Sequence, residues 1–289
     1  MTRSGSGGKV TYRYYSDAAC KKEVKAANVK AAGTYYVRAT LAADANHNGA
    51  TSAAARLTIA RAKVAVPKAT NRAYNGKQQV GVPTGAGYAL KGTARATKAG
   101  TYTVTATPDA NHCWADGKAN ARKLTWRIVA PSVRYRTHVQ TYGNQAWKAN
   151  GQASGTFGQA KRLEGIWITL PTKPVSGSIQ YRTHVQTFGW QGWRGEGKMS
   201  GTSGLAKRLE AIQIRLTGKM AQHYDVWYRV HAQTYGWMGW AKNGAQAGTA
   251  GFSKRLEGIQ ILILPKGSKA PAANYGGYKQ ATKAAFVKK

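Results

Sequence analysis

Three stretches of the chain are copies of one another. Arg136 to Leu170 reads RTHVQTYGNQAWKANGQASGTFGQAKRLEGIWITL, and the pattern returns from Arg182 to Leu216 and from Arg229 to Ile263. The three leading arginines lie 46 and then 47 residues apart. A unit that short cannot bury an apolar face alone, so it must stack on or close with its siblings. Three like units imply three like sites.

Each copy opens on an alternating run. Val133, Tyr135, Thr137 and Val139 fall on one side, and Arg134, Arg136, His138 and Gln140 on the other. A period of two predicts a half-buried strand, which puts His138, His184 and His231 on a shared polar face. In the closing run Ile166, Ile168 and Leu170 share their parity with Glu164 and Arg162, so the same rule aims Glu164 inward. Glu164, Glu210 and Glu257 are three of only 10 acidic residues. A buried carboxylate costs several kcal/mol unless paired, which nominates Arg162, Arg208 and Arg255, or the histidine of each copy, as structural partners.

Between the strands, copy two carries Gly189-Trp190-Gln191-Gly192-Trp193 and copy three Gly236-Trp237-Met238-Gly239-Trp240. Copy one has Asn144 in place of the first tryptophan and keeps Trp147. Two aromatics three apart beside glycines either fill a core or form a platform on which a ring can stack. Trp147, Trp193 and Trp240 are read as core. Trp190 and Trp237, with His138, His184, His231, Gln140, Gln186 and Gln233, are the candidate ligand-binding residues. Gly155-Thr156, Gly201-Thr202 and Gly248-Thr249 read as tight turns.

A weaker repeat precedes these. Ala32-Gly33-Thr34-Tyr35-Tyr36-Val37 parallels Ala99-Gly100-Thr101-Tyr102-Thr103-Val104, and each is followed by Asp-Ala-Asn-His. Short alternating strands with frequent turn signals predict small β-sandwich modules at 1–61, truncated, and 62–131. Phrases such as YNGK and AGTYTVTAT resemble the immunoglobulin-like repeats of large bacterial surface proteins, over residues 8–130, and that resemblance implies a stalk or spacer. After 265 no apolar period remains, and 266–289 reads as a basic flexible tail.

With 44 Lys and Arg against 10 Asp and Glu, the formal charge is +34. Such an imbalance favours anionic partners and speaks of association, not of fold. Cys20 and Cys113 fall in different modules, so neither an intradomain disulfide nor a metal spacing is expected. No run is apolar enough for a transmembrane helix, and MTRSGSGGKV lacks the core of a secretory signal; Met1 is read as opening a fragment of something larger.

The 46-residue unit resembles the clostridial hydrophobic repeat with its characteristic tryptophan, the ChW repeat, over 133–170, 179–216 and 226–264. That resemblance implies an extracellular or surface protein of a Gram-positive bacterium, whose triplet binds cell wall, polysaccharide or another surface polymer. The fold expected is all-β: two Ig-like modules, then a pseudo-threefold domain at 132–265, prism-like or trefoil-like, closed to remove sheet edges. Without an acid pair, a nucleophile triad, a nucleotide loop or a metal cluster, a noncatalytic protein with no cofactor is expected. The alternatives are a basic polyanion or nucleic-acid binder, with aromatics interleaved among cations, and a purely structural scaffold of the envelope.

Overall fold

The computed structural model describes Gly5 and residues 7–289. The chain is nearly all β, and the one α-helix among the described residues, Gly218–His223, spans little more than a turn. Among the described residues no helix is long and apolar enough to cross a membrane. Two compact units emerge, one of Met1–Thr70, Val80–Ala96 and Thr101–Trp126, the other of Asn71–Gln79, Thr97–Gly100 and Arg127–Lys289.

In the first unit, Gly33–Leu41 is paired on one side by Val10–Tyr15 and on the other by Ala55–Ile59, within a single five-stranded sheet. Among the described residues before 61 only Gly8 is buried, so this sheet carries no apolar core of its own. The second copy does bury one, around Val82, Val104, Ala106, Trp114 and Trp126. The repeated Asp-Ala-Asn-His phrase is a turn clasped by its own side chains: Asp44 Oδ1 lies 2.9 Å from His47 Nδ1, and Asp109 Oδ1 lies 2.6 Å from His112 Nδ1.

In the second unit each repeat forms a long antiparallel hairpin. Ser132–Val139 pairs with Leu163–Thr172, Ser178–Val185 with Leu209–Thr217, and Tyr224–Ala232 with Leu256–Pro265. One short strand per repeat then crosses to a neighbour. Ser154–Gly155 of repeat one pairs with the closing strand of repeat three, Ser200–Gly201 of repeat two with that of repeat one, and Ala247–Ala250 of repeat three with that of repeat two. The cycle closes, with three separate sheets around one core of Val, Ile, Leu and Tyr side chains. Three discrete sheets match the prism-like alternative better than the trefoil-like one.

The glycines read as turns therefore sit inside these crossing strands. Gly155, Gly201 and Gly248 have φ of 116°, 114° and 116°, and a Cβ on them would stand 2.2, 2.3 and 2.4 Å from the carbonyl oxygens of Glu257, Glu164 and Glu210. Only glycine allows both that backbone conformation and that approach.

The tyrosine of each opening strand repeats the same exchange. Tyr135, Tyr181 and Tyr228 accept the N–H of Ile261, Ile168 and Ile214 at 3.0 Å and donate to the carbonyls of Gln152, Lys198 and Ala245. Burial pushes the Tyr181 hydroxyl up to about 12 and raises those of Tyr135 and Tyr228 as well.

Parity fails at the glutamates for a local reason. His138 pairs with Gly165 while Val139 pairs with Leu163, so Glu164 is an extra residue in a β-bulge, and the same shift occurs at His184/Val185 and His231/Ala232. A one-residue slip exchanges faces. Leu163 therefore joins the core, and Glu164 lies beside His138 on the opposite face, correcting the inward placement.

Candidate functional site

Each bulge builds a clasp. Glu164 Oε1 accepts from Arg162 Nε at 2.8 Å, and its Oε2 lies 3.2 Å from His138 Nδ1. Arg208, Glu210 and His184 repeat this at 2.9 and 3.1 Å, and Arg255, Glu257 and His231 at 2.8 and 3.1 Å. These imidazole nitrogens are buried and make no hydrogen bond among the described residues, so each contact is an ion pair only when the ring is protonated. The carboxylates are almost fully buried, at 5, 5 and 4 % exposure, and both nominated partners serve each one. Burial lowers the pKa of His231, against the opposing pull of Glu257. Gln140, Gln186 and Gln233 enter through their backbone N–H groups, which donate to the carbonyls of Arg162, Arg208 and Arg255 and close the bulge.

Above the clasp lies a row of aromatics gripping an arginine. In repeat two the Arg182 guanidinium stands 5.3 Å from the ring of Trp190 and 4.9 Å from that of Trp193, and its Nε donates to Gln213 Oε1 at 2.7 Å. Arg215 approaches Trp193 at 4.1 Å. His184 meets Trp190 edge to face at 5.5 Å. In repeat three Arg229 lies 5.1 Å from Trp237 and 4.8 Å from Trp240, with the same 2.7 Å bond to Gln260. In repeat one, where Asn144 replaces the first tryptophan, Arg136 sits 5.1 Å from Trp147 and 4.8 Å from Trp167 instead. A cation over an indole face is worth roughly 0.5–2 kcal/mol, more as it is desolvated.

Two expectations are corrected here. Trp147, Trp193 and Trp240 do not fill the core; they are half-buried, with arginine against their faces. Trp237 is the buried one, at 5 % exposure, whereas its counterpart Trp190 is half-buried. The difference comes from the segment read as a flexible tail. Residues 272–288 lie across repeat three, with Tyr278 5.4 Å from Trp237, Tyr275 5.9 Å from Trp240, and Phe286–Lys288 adding a parallel strand to Ala247–Ala250. Phe157, from repeat one, packs on Trp237 at 5.4 Å.

Arg136, Arg182 and Arg229 are the residues that sequence reasoning passed over. Their signal was present, since each stands two positions before the repeat histidine. Among the described residues no group of three or more His, Cys, Asp or Glu is placed to hold a metal ion.

A family model described as Clostridial hydrophobic W matches residues 138–171, 184–218 and 231–265. These are three ChW repeats. Each match begins at the clasp histidine, near the end of the opening strand, and runs through the crossing strand to the end of the closing strand, so most of the opening strand lies ahead of it. The arginine held between aromatics stands just ahead of each ChW match. Comparison with curated proteins and with solved structures gave no match.

Proposed function

We propose that the chain is a noncatalytic binding protein of the bacterial cell surface, in which the ChW triplet holds a cell-wall polymer or polysaccharide and the N-terminal Ig-like modules act as spacers. The observation that carries this reading is the repeat-two face, where Trp190 and Trp193 flank Arg182 and keep half-exposed rings. Such a row offers flat apolar surface with a fixed cation, the elements that a polymer of rings and polar groups can use. Several like faces on one closed domain turn weak contacts into avidity when the ligand repeats.

The clasp argues against acid–base chemistry. Each of these three carboxylates is held by an arginine, lies beside a histidine and is shielded from solvent, so none of the three stands ready as a free acid or base. Retention on purified cell walls and on polysaccharides tests the reading. Trp193→Ala and Trp190→Ala are expected to lower retention at least tenfold while the protein stays folded; undiminished retention in both would remove this face from the site.

The +34 charge supports a second reading, attraction to nucleic acid or another polyanion. Titrations at 50 and 200 mM salt separate the two. Phosphate neutralisation falls steeply with salt, and stacking on a neutral sugar hardly at all.

A further inference from the structure

On repeat three the chain supplies its own occupant, and the contacts show what kind of ligand this face accepts. Arg229 is fully buried without a carboxylate. Its Nη1 donates to the carbonyl of Ala273 at 2.8 Å, and its Nη2 to those of Tyr275 and Tyr278 at 3.0 and 2.9 Å. Main-chain carbonyls are the acceptors, so the guanidinium reads a polypeptide backbone. The Ala281 N–H donates to the carbonyl of Trp237 at 2.8 Å, and Gly239 N–H to that of Ala284 at 3.0 Å. The side chains that add selectivity are two tyrosines three residues apart, set against Trp240 and Trp237.

Repeat two carries the same arginine, glutamine, histidine and pair of tryptophans. Arg182 keeps the glutamine bond at 2.7 Å and the two tryptophan contacts within 0.2 Å of those on repeat three. The histidine meets its tryptophan at 80° in one and 79° in the other. Among the described residues the terminal nitrogens of Arg182 make no hydrogen bond, whereas those of Arg229 make three. A site already held in its bound geometry loses little entropy on binding. Two positions differ: Ala250 stands where the repeat-three face has Phe157, and Arg215, 4.1 Å from the Trp193 ring, stands where repeat three has Leu262.

We propose that the repeat-two face binds a polypeptide turn bearing two tyrosines three residues apart, curled as Ala273 to Tyr278 curl around Arg229 in a 3-10 turn at Tyr275–Gly277, with Arg182 donating to its main-chain carbonyls and its rings set against Trp190 and Trp193. This rests on the reading of the ChW faces as binding surfaces and assigns to one of them a polypeptide in place of a polysaccharide.

The test uses the full chain and a fluorescein-labelled synthetic peptide of residues 270–289 at 150 mM salt, where protein and peptide are both basic and long-range attraction is absent. Saturable binding of one peptide per chain is expected, weakened at least tenfold by Arg182→Gln in the protein and by Tyr278→Ala in the peptide. Arg182→Lys, which keeps the charge and loses the planar fork, is expected to weaken it as well, and thermal melts verify that both variants fold. Binding that is absent, or that survives both Arg182 substitutions, overturns the proposal. If walls or polysaccharides are nonetheless retained through Trp190 and Trp193, the surface-binding reading stands and only the polypeptide is lost; if neither binds, both fall.

Discussion

The hydroxyl of Tyr135 accepts the backbone N–H of Ile261 at 3.0 Å, across 126 residues of chain, and so joins the first repeat to the last. The same hydroxyl donates to Gln152. Tyr135→Phe leaves the buried N–H of Ile261 without a partner and is expected to lower stability by about 1–3 kcal/mol. Denaturant titration measures it. A loss below about 0.5 kcal/mol would mean that the stitch is not needed for closure.

Thr137 and Ser154 share a buried hydrogen bond of 3.0 Å, and Thr183 and Ser200 one of 2.9 Å; repeat three has Val230 and Ala247 at these places. Both partners were exchanged together, which is how a buried pair can be removed without leaving an orphan. Val230→Thr alone is expected to destabilise by about 1–3 kcal/mol through an unpaired hydroxyl. Adding Ala247→Ser is expected to recover part of it, with a favourable coupling of about 1 kcal/mol in the double-mutant cycle.

Glu210 is held by Arg208 and His184. Glu210→Gln leaves the Arg208 guanidinium without its counter-charge. Breaking a fully buried pair costs about 3–5 kcal/mol. Here both partner side chains remain 20 % exposed, so the expected loss is smaller, on the order of 2 kcal/mol. Trp193→Ala on the same repeat is expected to cost less than the glutamate change, because its ring is only half-buried. The two melts compared in one buffer decide this ordering.

Protonation of His231 gives a pH dependence. Its pKa in the folded protein lies below the ordinary 6.5, chiefly through burial. The unfolded chain therefore takes up the proton first, and this residue's contribution makes stability fall as pH drops through about 6.5 towards the folded value. At higher pH the contribution is flat. His231→Gln is expected to flatten the slope of stability against pH between about 7 and 5, read from denaturant midpoints; an unchanged slope would show that another group sets it.

Much of this was legible in the linear order of residues. Alternation in Val133 to Gln140 reports a half-buried strand because successive side chains in a strand point to opposite faces. Three copies at a near-constant pitch report mutual closure, because none is long enough to be stable alone. The inward placement of Glu164 failed because one bulge residue reverses every face beyond it, and nothing in the spacing marks a bulge. Trp193 and Trp240 were read as core because indoles are usually buried; the arginines that cover their faces come from the facing strand and become neighbours only on folding.

What the order of residues determined by itself is the all-β class, the triplicate ChW unit and the residue types from which each face is built, since these follow from local alternation and internal identity. What only the tertiary structure decided is which face is occupied. Trp190 and Trp237 hold the same place in their repeats, yet Trp237 is buried beneath Tyr278, some forty residues further along the chain, while Trp190 keeps a half-exposed ring. Burial depends on what packs against a side chain in space, and a contact between distant residues leaves no trace in either residue's own neighbourhood of sequence.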